Sequence, residues 1–294
     1  MTKLLVAGLG EILWDVLADS EEIGGAPINF AYHAGALGAD SVAVSTIGND
    51  KRGRQATKEL LARGLNLEAV SIDQNHATGF VDASVDAEGV AHYFFPENIA
   101  WDHLALNDKA IRLAPRVNAV CFGTLAQRSE KSRTAINRFL NAAPQAMKVY
   151  DMNLRQHFYS KEIICDSLEK ADVLKLNDDE IQAVAPMFSL TGNENEILRA
   201  LHKKFNLQYS VLTRGGNGSL LIGNNEEVES NGVVVNNMTD TIGAGDSYTA
   251  SVIIGLLLDH SLQEISKHAN KLAAYVCSCK GAMPAIPDEY KLIK

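Results

Sequence analysis

Apolar and polar positions divide this chain into short continuous runs and longer amphipathic stretches. Lys3 to Gly8 is a continuous apolar run ended by glycine, which predicts a buried strand. Ser41 to Ile47, Ala119 to Thr124, Lys148 to Asp151, Asp172 to Leu176 and Tyr209 to Thr213 are read as further strands. Between them, Ala26 to Leu37, Arg54 to Arg63 and Ser129 to Asn141 carry the spacing of helices. Alternating strands and helices predict a mainly parallel, doubly wound α/β sheet with helices on both faces.

One region departs from this rhythm. Gly79 to Asp86 alternates, Ala87-Glu88-Gly89 turns, and Val90 to Phe95 returns, which predicts a hairpin. Glu11 to Leu17 also looks extended, so a small separate sheet is expected. Near the C-terminal end, Gly232 to Val235 reads as a strand end and Ser247 to Leu258 as a buried helix. A second helix is expected over Leu262 to Lys280.

Composition narrows the classes. The chain has 294 residues, 46% hydrophobic and 21% charged, enough for a full core without disulfides or metals. A formal net charge of −9 with no basic run argues against nucleic acid or an anionic membrane as a partner. The longest apolar run, Ala250 to Leu258, is far shorter than the ~20 residues that span a bilayer. The start of the chain lacks a signal peptide's cleavage region, so a cytoplasmic protein is expected. Cys121, Cys165, Cys277 and Cys279 are irregularly spread and lack zinc spacing, and are read as reduced structural cysteines.

The chemistry concentrates in Asp240-Thr241-Ile242-Gly243-Ala244-Gly245-Asp246, a glycine-bearing turn opening into the buried helix. Amides at a helix start have no partner inside the helix and favour an anion. Gly243 and Gly245 let backbone approach it closely, yet Asp246 places a carboxylate there. Group transfer needs such a base beside the moving group. The same residues also read as an N-capped helix start. Upstream, Gly24-Gly25-Ala26-Pro27-Ile28-Asn29 enters a helix, with Asp15 before it on the extended piece. Asp15 can accept hydrogen bonds from neighbouring hydroxyls, and Asn29 can both donate and accept. Gly8-Leu9-Gly10 lacks the third glycine of a dinucleotide fingerprint, which makes a nicotinamide oxidoreductase a weak alternative. No Gly-x-x-x-x-Gly-Lys-Ser/Thr loop is present.

These motifs, in this order across nearly the whole chain, resemble the PfkB family of carbohydrate kinases, with its ribokinase-like fold. The first signature is Gly24-Gly25 with Asn29 and Leu37-Gly38, the last is Asp240 to Asp246, and Ile47 to Gly53 fits between them. The resemblance implies one kinase domain over 1–294, with lid strands from about 11–23 and 77–100. It implies Asp246 as the base and the Gly243, Ala244, Gly245 and Asp246 amides as an anion hole. Asp15, Gly24, Gly25, Asn29 and Arg155 would hold a sugar, with Phe94, Phe95 or Trp101 capping its apolar face. Asn177 and Glu180, also spaced as a helix capping box, would place Mg²⁺ through water. Thr213, Gly215, Gly218 and Asn270 would border ATP.

Glu11 to Asp15 and Asp151 to Arg155 are most similar to bacterial fructokinases, so D-fructose is the expected acceptor. 2-Keto-3-deoxygluconate, ribose or a nucleoside, or a non-catalytic sugar-binding relative, are the other readings. A monovalent cation such as K⁺ and a homodimer through the lid also follow from the resemblance.

Overall fold

The computed structural model describes residues 3–17, 20–85, 91–223, 226–235 and 237–293. Its strands are β1 (Leu5–Leu9), β2 (Leu13–Leu17), β3 (Ser20–Gly24), β4 (Asp40–Gly48), β5 (Val70–Asp73), β6 (Gly79–Val85), β7 (Ala91–Phe94), β8 (Ala119–Phe122), β9 (Met147–Asp151), β10 (Val173–Asn177), β11 (Tyr209–Thr213), β12 (Ser219–Ile222) and β13 (Glu227–Ser230). The helices are α1 (Ala26–Ala36), α2 (Lys51–Ala62), α3 (Asp108–Leu113), α4 (Glu130–Ala142), α5 (Lys161–Leu168), α6 (Asp178–Val184), α7 (Glu194–Lys204), α8 (Ala244–Leu257) and α9 (Leu262–Cys277).

Nine strands form the main sheet in the order β13-β12-β11-β10-β9-β8-β1-β4-β5. The run from β11 to β5 is parallel, and β12 and β13 join it antiparallel. Successive residues of one strand feed opposite faces, as the period of two requires. Val6 packs with Phe30, Ala34 and Ile253 of α1 and α8, whereas Ala7 and Leu9 pack with Phe139, Ile164 and Leu198 of α4, α5 and α7. Val149 and Tyr150, Val173 and Leu174, and Val211 and Leu212 divide in the same way. Both faces being covered explains why the middles of these strands are mainly apolar rather than alternating.

The second sheet has the order β3-β2-β6-β7. Strands β6 and β7 pair antiparallel, with Asp82 opposite Phe94, as the hairpin pattern predicts. The expected turn at Ala87-Glu88-Gly89 lies outside the described residues. Beneath this sheet Ile12, Trp14 and Ile23 pack with Ile28, Ile47 and Leu60, so it is seated on α1 and β4.

Two expectations are corrected. Gly232 to Val235 forms no strand, and Val234 is 85% exposed. The edge place belongs to β13, fixed by its tight pairing of Ile222 with Glu227. Helix α9 ends at Cys277, three residues before Lys280, and Gly281 follows at φ +77°. All four cysteines are free, and Cys121 is buried. Among the described residues no helix is long and apolar enough to cross a membrane.

Candidate functional site

Carboxyl ends of parallel strands are where open α/β sheets carry their sites. A cavity of about 580 Å³ lies at the ends of β1, β9 and β10, under β2 and β6. Its walls include Glu11 and Asp15, Gly25 and Asn29, Arg155, Lys175, Asn177 and Glu180, and Gly243, Gly245 and Asp246. A larger surface groove, about 1050 Å³, lies at the opposite ends of β1 and β4 and holds none of the motif residues.

The floor is the start of α8. Gly243 is the N-cap in the left-handed region at φ +78°, and a β-carbon there would stand 2.3 Å from the Ala282 carbonyl oxygen. Glycine is therefore required by both backbone and space. The Ala282 carbonyl is held in turn by buried His33, whose Nε2 lies 2.9 Å away. Burial pushes the His33 pKa down to about 4, so its ring is neutral and Nε2–H donates. Thr241 takes the Ala244 N–H at 3.3 Å, whereas no carbonyl among the described residues takes the N–H of Gly245 or Asp246. The open donors at the helix start are thus those two amides.

Asp246 stands beside them. Asn29 Nδ2 donates to its Oδ2 at 2.8 Å, joining α1 to α8. Burial, aided by the charge of Asp151, lifts the Asp246 pKa to about 6, while Asn29, Lys175 and Arg155 hold it down. Asp246 remains a carboxylate at neutral pH, yet basic enough to take a proton.

Gly25 adopts φ +117°, and a β-carbon there would stand 2.3 Å from the Glu11 carbonyl oxygen. This close contact seats the start of α1 against the end of β1. Glu11 is 1% exposed and its Oε2 has no partner. Burial raises its pKa to about 7, against the pull of its own backbone amide and Arg155. Asp15, on β2, is raised to about 6 by burial, with Arg155 opposing and Glu22 and Asp240 adding to the shift. Arg155 is exposed at the cavity mouth, where its charge faces Glu11, Asp15 and Asp246.

On the far wall, Lys175 is 7% exposed and donates to Asp151 Oδ1 at 3.0 Å. Burial works against its charge, but Asp151, Glu180 and Asp246 outweigh it and hold the pKa above the usual lysine value. Lys175 Nζ lies 3.2 Å from where a β-carbon on Gly245 would stand, so the ammonium sits against the helix start. Asp151 turns inward, with its other oxygen accepting from Thr249 at 2.9 Å, while Asn153, Leu154 and Arg155 line the cavity. Asn177 and Glu180 form the capping box of α6: Asn177 accepts from the Glu180 N–H and Glu180 Oε2 from the Asn177 N–H, each at 2.8 Å. Glu180 Oε1 accepts from Leu154 N–H at 3.0 Å.

The remaining motif residues are distributed around this centre. Gly24 and Ala244 are adjacent to cavity residues without lining it. Thr213 pairs with Asn177 across β10 and β11, and a turn through Gly215 and Gly218 follows it. Asn270 is buried on α9, where its amide donates to Ser219 Oγ and the Ser266 carbonyl, away from the cavity lining. Of the three aromatics, Phe95 lines the cavity; Phe94 is 61% exposed, and Trp101 is buried outside it. Among the described residues no three His, Cys, Asp or Glu side chains are grouped to hold a metal on their own.

A carboxylate of raised pKa, open helix-start amides and a buried cation meet in one α/β cleft, an arrangement suited to group transfer to a polar acceptor. The sequence matches the pfkB family carbohydrate kinases over residues 10–289, and the chain belongs to that family. It is similar to fructokinase-2 of Oryza sativa subsp. japonica, 27% identical over 311 residues, covering 96% of this chain and 91% of the relative. Fructokinase of Escherichia coli is 26% identical over 302 residues, covering 97% of this chain and 96% of the relative. A structure of Vibrio cholerae O395 fructokinase with fructose, ADP and calcium ion superposes with TM-score 0.81 at 21% identity, covering 98% of this chain and 97% of that one. The protein is a sugar kinase with the mainly parallel sheet and small second sheet expected of that fold.

Proposed function

We propose that the chain phosphorylates a primary hydroxyl of D-fructose with Mg·ATP, giving fructose 6-phosphate and ADP. The observation that carries this reading is the junction at α8, where the Asp246 carboxylate lies beside the unclaimed Gly245 and Asp246 amides in a covered cavity. The chain acts as one kinase domain, with the four-stranded sheet as its lid.

The acceptor hydroxyl oxygen attacks the γ-phosphorus, the bond from that phosphorus to the bridging oxygen breaks, and ADP leaves. Asp246 takes the hydroxyl proton, with Asn29 fixing which carboxylate oxygen stays free for it. The Gly245 and Asp246 amides receive the charged oxygens of the moving group, where one donor contributes about 3 kcal/mol. Lys175, held against Gly245, adds a fixed positive charge on the same side. Asp15 accepts from sugar hydroxyls, Gly25 and Asn29 shape that end, and Arg155 closes the mouth.

The donor set fits a water-bound Mg²⁺. Glu180 is committed to two backbone amides, yet each oxygen keeps a lone pair for a metal-bound water, and Asn177 stands beside it. When bound, Mg²⁺ neutralises charge on the β and γ phosphates. ATP would enter along the turn from Thr213 to Gly218, which adjoins Asn177 through the strand register.

The naming of relatives as fructokinases and the fructose-bound neighbour support fructose as the acceptor. The test is ADP release with Mg·ATP over fructose, ribose, glucose, 2-keto-3-deoxygluconate and adenosine. Fructose turning over fastest, with 6-phosphate product, is expected. A faster rate with another acceptor moves the specificity, and no turnover with any of them contradicts the reading.

A further inference from the structure

Arg128 is buried outside the cavity and has no part in the chemistry above. Its Nε and Nη2 bond both oxygens of Asp102, at 2.8 and 2.7 Å, and both side chains are under 8% exposed. Nη2 also donates to the Pro96 carbonyl at 2.5 Å. The guanidinium lies 4.0 Å from the Trp101 ring centroid and 4.6 Å from that of Phe158. This planar cation is bonded along the Nε–Nη2 edge and stacked on its face, while its buried Nη1 has no partner.

These neighbours belong to two parts of the fold, the β6–β7 hairpin and the turn that carries Arg155. A β-carbon on Gly79 would stand 2.3 Å from Trp101 Nε1, so the indole edge presses on the first residue of β6. Pro96 lies two residues beyond the end of β7. Both ends of the lid hairpin therefore meet one Trp101–Arg128 stack. On the other side, the Phe158 N–H donates to the Arg155 carbonyl at 3.0 Å, closing the turn that carries Arg155. Phe158 also meets Phe95 edge to face, with centroids 5.9 Å apart, and Phe95 lines the cavity.

We propose that Arg128 is a positioning residue that locks the roots of the β6–β7 lid and the Arg155 turn into one unit, setting acceptor affinity. The inference rests on the cavity being the acceptor site of a sugar kinase. Loss of the stack frees Phe95 and Arg155 to move apart, which weakens acceptor binding and leaves the nucleotide turn after Thr213 untouched.

Steady-state kinetics on the full chain, with fructose and Mg·ATP varied separately, test this. In Arg128→Met the KM for fructose rises at least tenfold and the KM for ATP stays within twofold; Arg128→Lys is intermediate, since it keeps charge but not the two-pronged bond. Phe158→Leu leaves the buried ion pair in place and serves if the Arg128 variants do not fold. It raises the fructose KM about fivefold, and adds less than twofold to an Arg155→Ala protein. Equal rises in both KM values, a lower melting temperature with unchanged fructose KM, or full multiplication of the Phe158 and Arg155 effects would overturn the proposal. If wild type turns over another sugar in the panel, that sugar replaces fructose in the same measurements. A wild type inactive on every sugar overturns the acceptor-site reading and this inference together; active wild type with unaffected variants overturns the inference alone.

Discussion

Asn29 Nδ2 donates to Asp246 Oδ2 at 2.8 Å, although 217 positions separate them in sequence. The bond joins the first helix to the helix whose start carries the proposed base. It orients one carboxylate oxygen, and it stabilises the charged form against burial.

The first prediction concerns pH. Asp246 has a pKa raised to about 6, and a base must be deprotonated to work, so kcat/KM should fall as pH drops below 6. Replacing Asn29 by Ala removes a bond that favours the carboxylate. The acidic limb then moves to higher pH, and the loss in kcat/KM, roughly tenfold or more below pH 6 for one lost hydrogen bond to a charged group, shrinks as pH rises. A pH–rate profile of both proteins checks the shift.

The Lys175–Asp151 pair separates stability from turnover. Lys175→Met leaves a buried carboxylate unpaired, and should cost about 3–5 kcal/mol in urea unfolding. Adding Asp151→Asn removes that unpaired charge and recovers part of the loss. Turnover stays low in both proteins, because the positive charge against Gly245 is gone.

Glu11 makes stability depend on pH. Its pKa rises from 4.5 to about 7 on folding, so the folded chain binds more protons than the unfolded chain between those values. Stability from this group is therefore greatest below pH 4.5 and falls as pH rises to 7, where the penalty reaches roughly 3 kcal/mol. Glu11→Gln should unfold at higher denaturant than wild type at pH 8, with the advantage shrinking at pH 5.

The two helix starts that meet in this cavity carry their own mark in the sequence. Glycines before helices, with Asn29 and Asp246 just inside, declare themselves because backbone geometry restricts what can stand there. Strands β1, β9, β10 and β11 were legible because burial on both faces makes their central residues mainly apolar. Lys175 was missed, although a lysine inside Val173-Leu174-Lys175-Leu176 must find a buried partner, and that was the available signal. Glu11 gave no such signal, since its burial comes from the start of α1 packing against it. Strand β13, Glu227–Ser230, has three polar residues out of four and reads as loop, while the valines after it read as strand. Pairing with β12, which no local pattern records, decided between them.

The most direct test of the account is the turnover of Asp246→Asn with Mg·ATP and fructose. The substitution keeps size and most hydrogen bonding but cannot accept a proton. With Asp246 as the base, kcat falls by about 10²–10⁴, the range of general-base catalysis, with a KM for ATP within a few-fold and unchanged unfolding cooperativity. Near-wild-type kcat in the folded variant would contradict it.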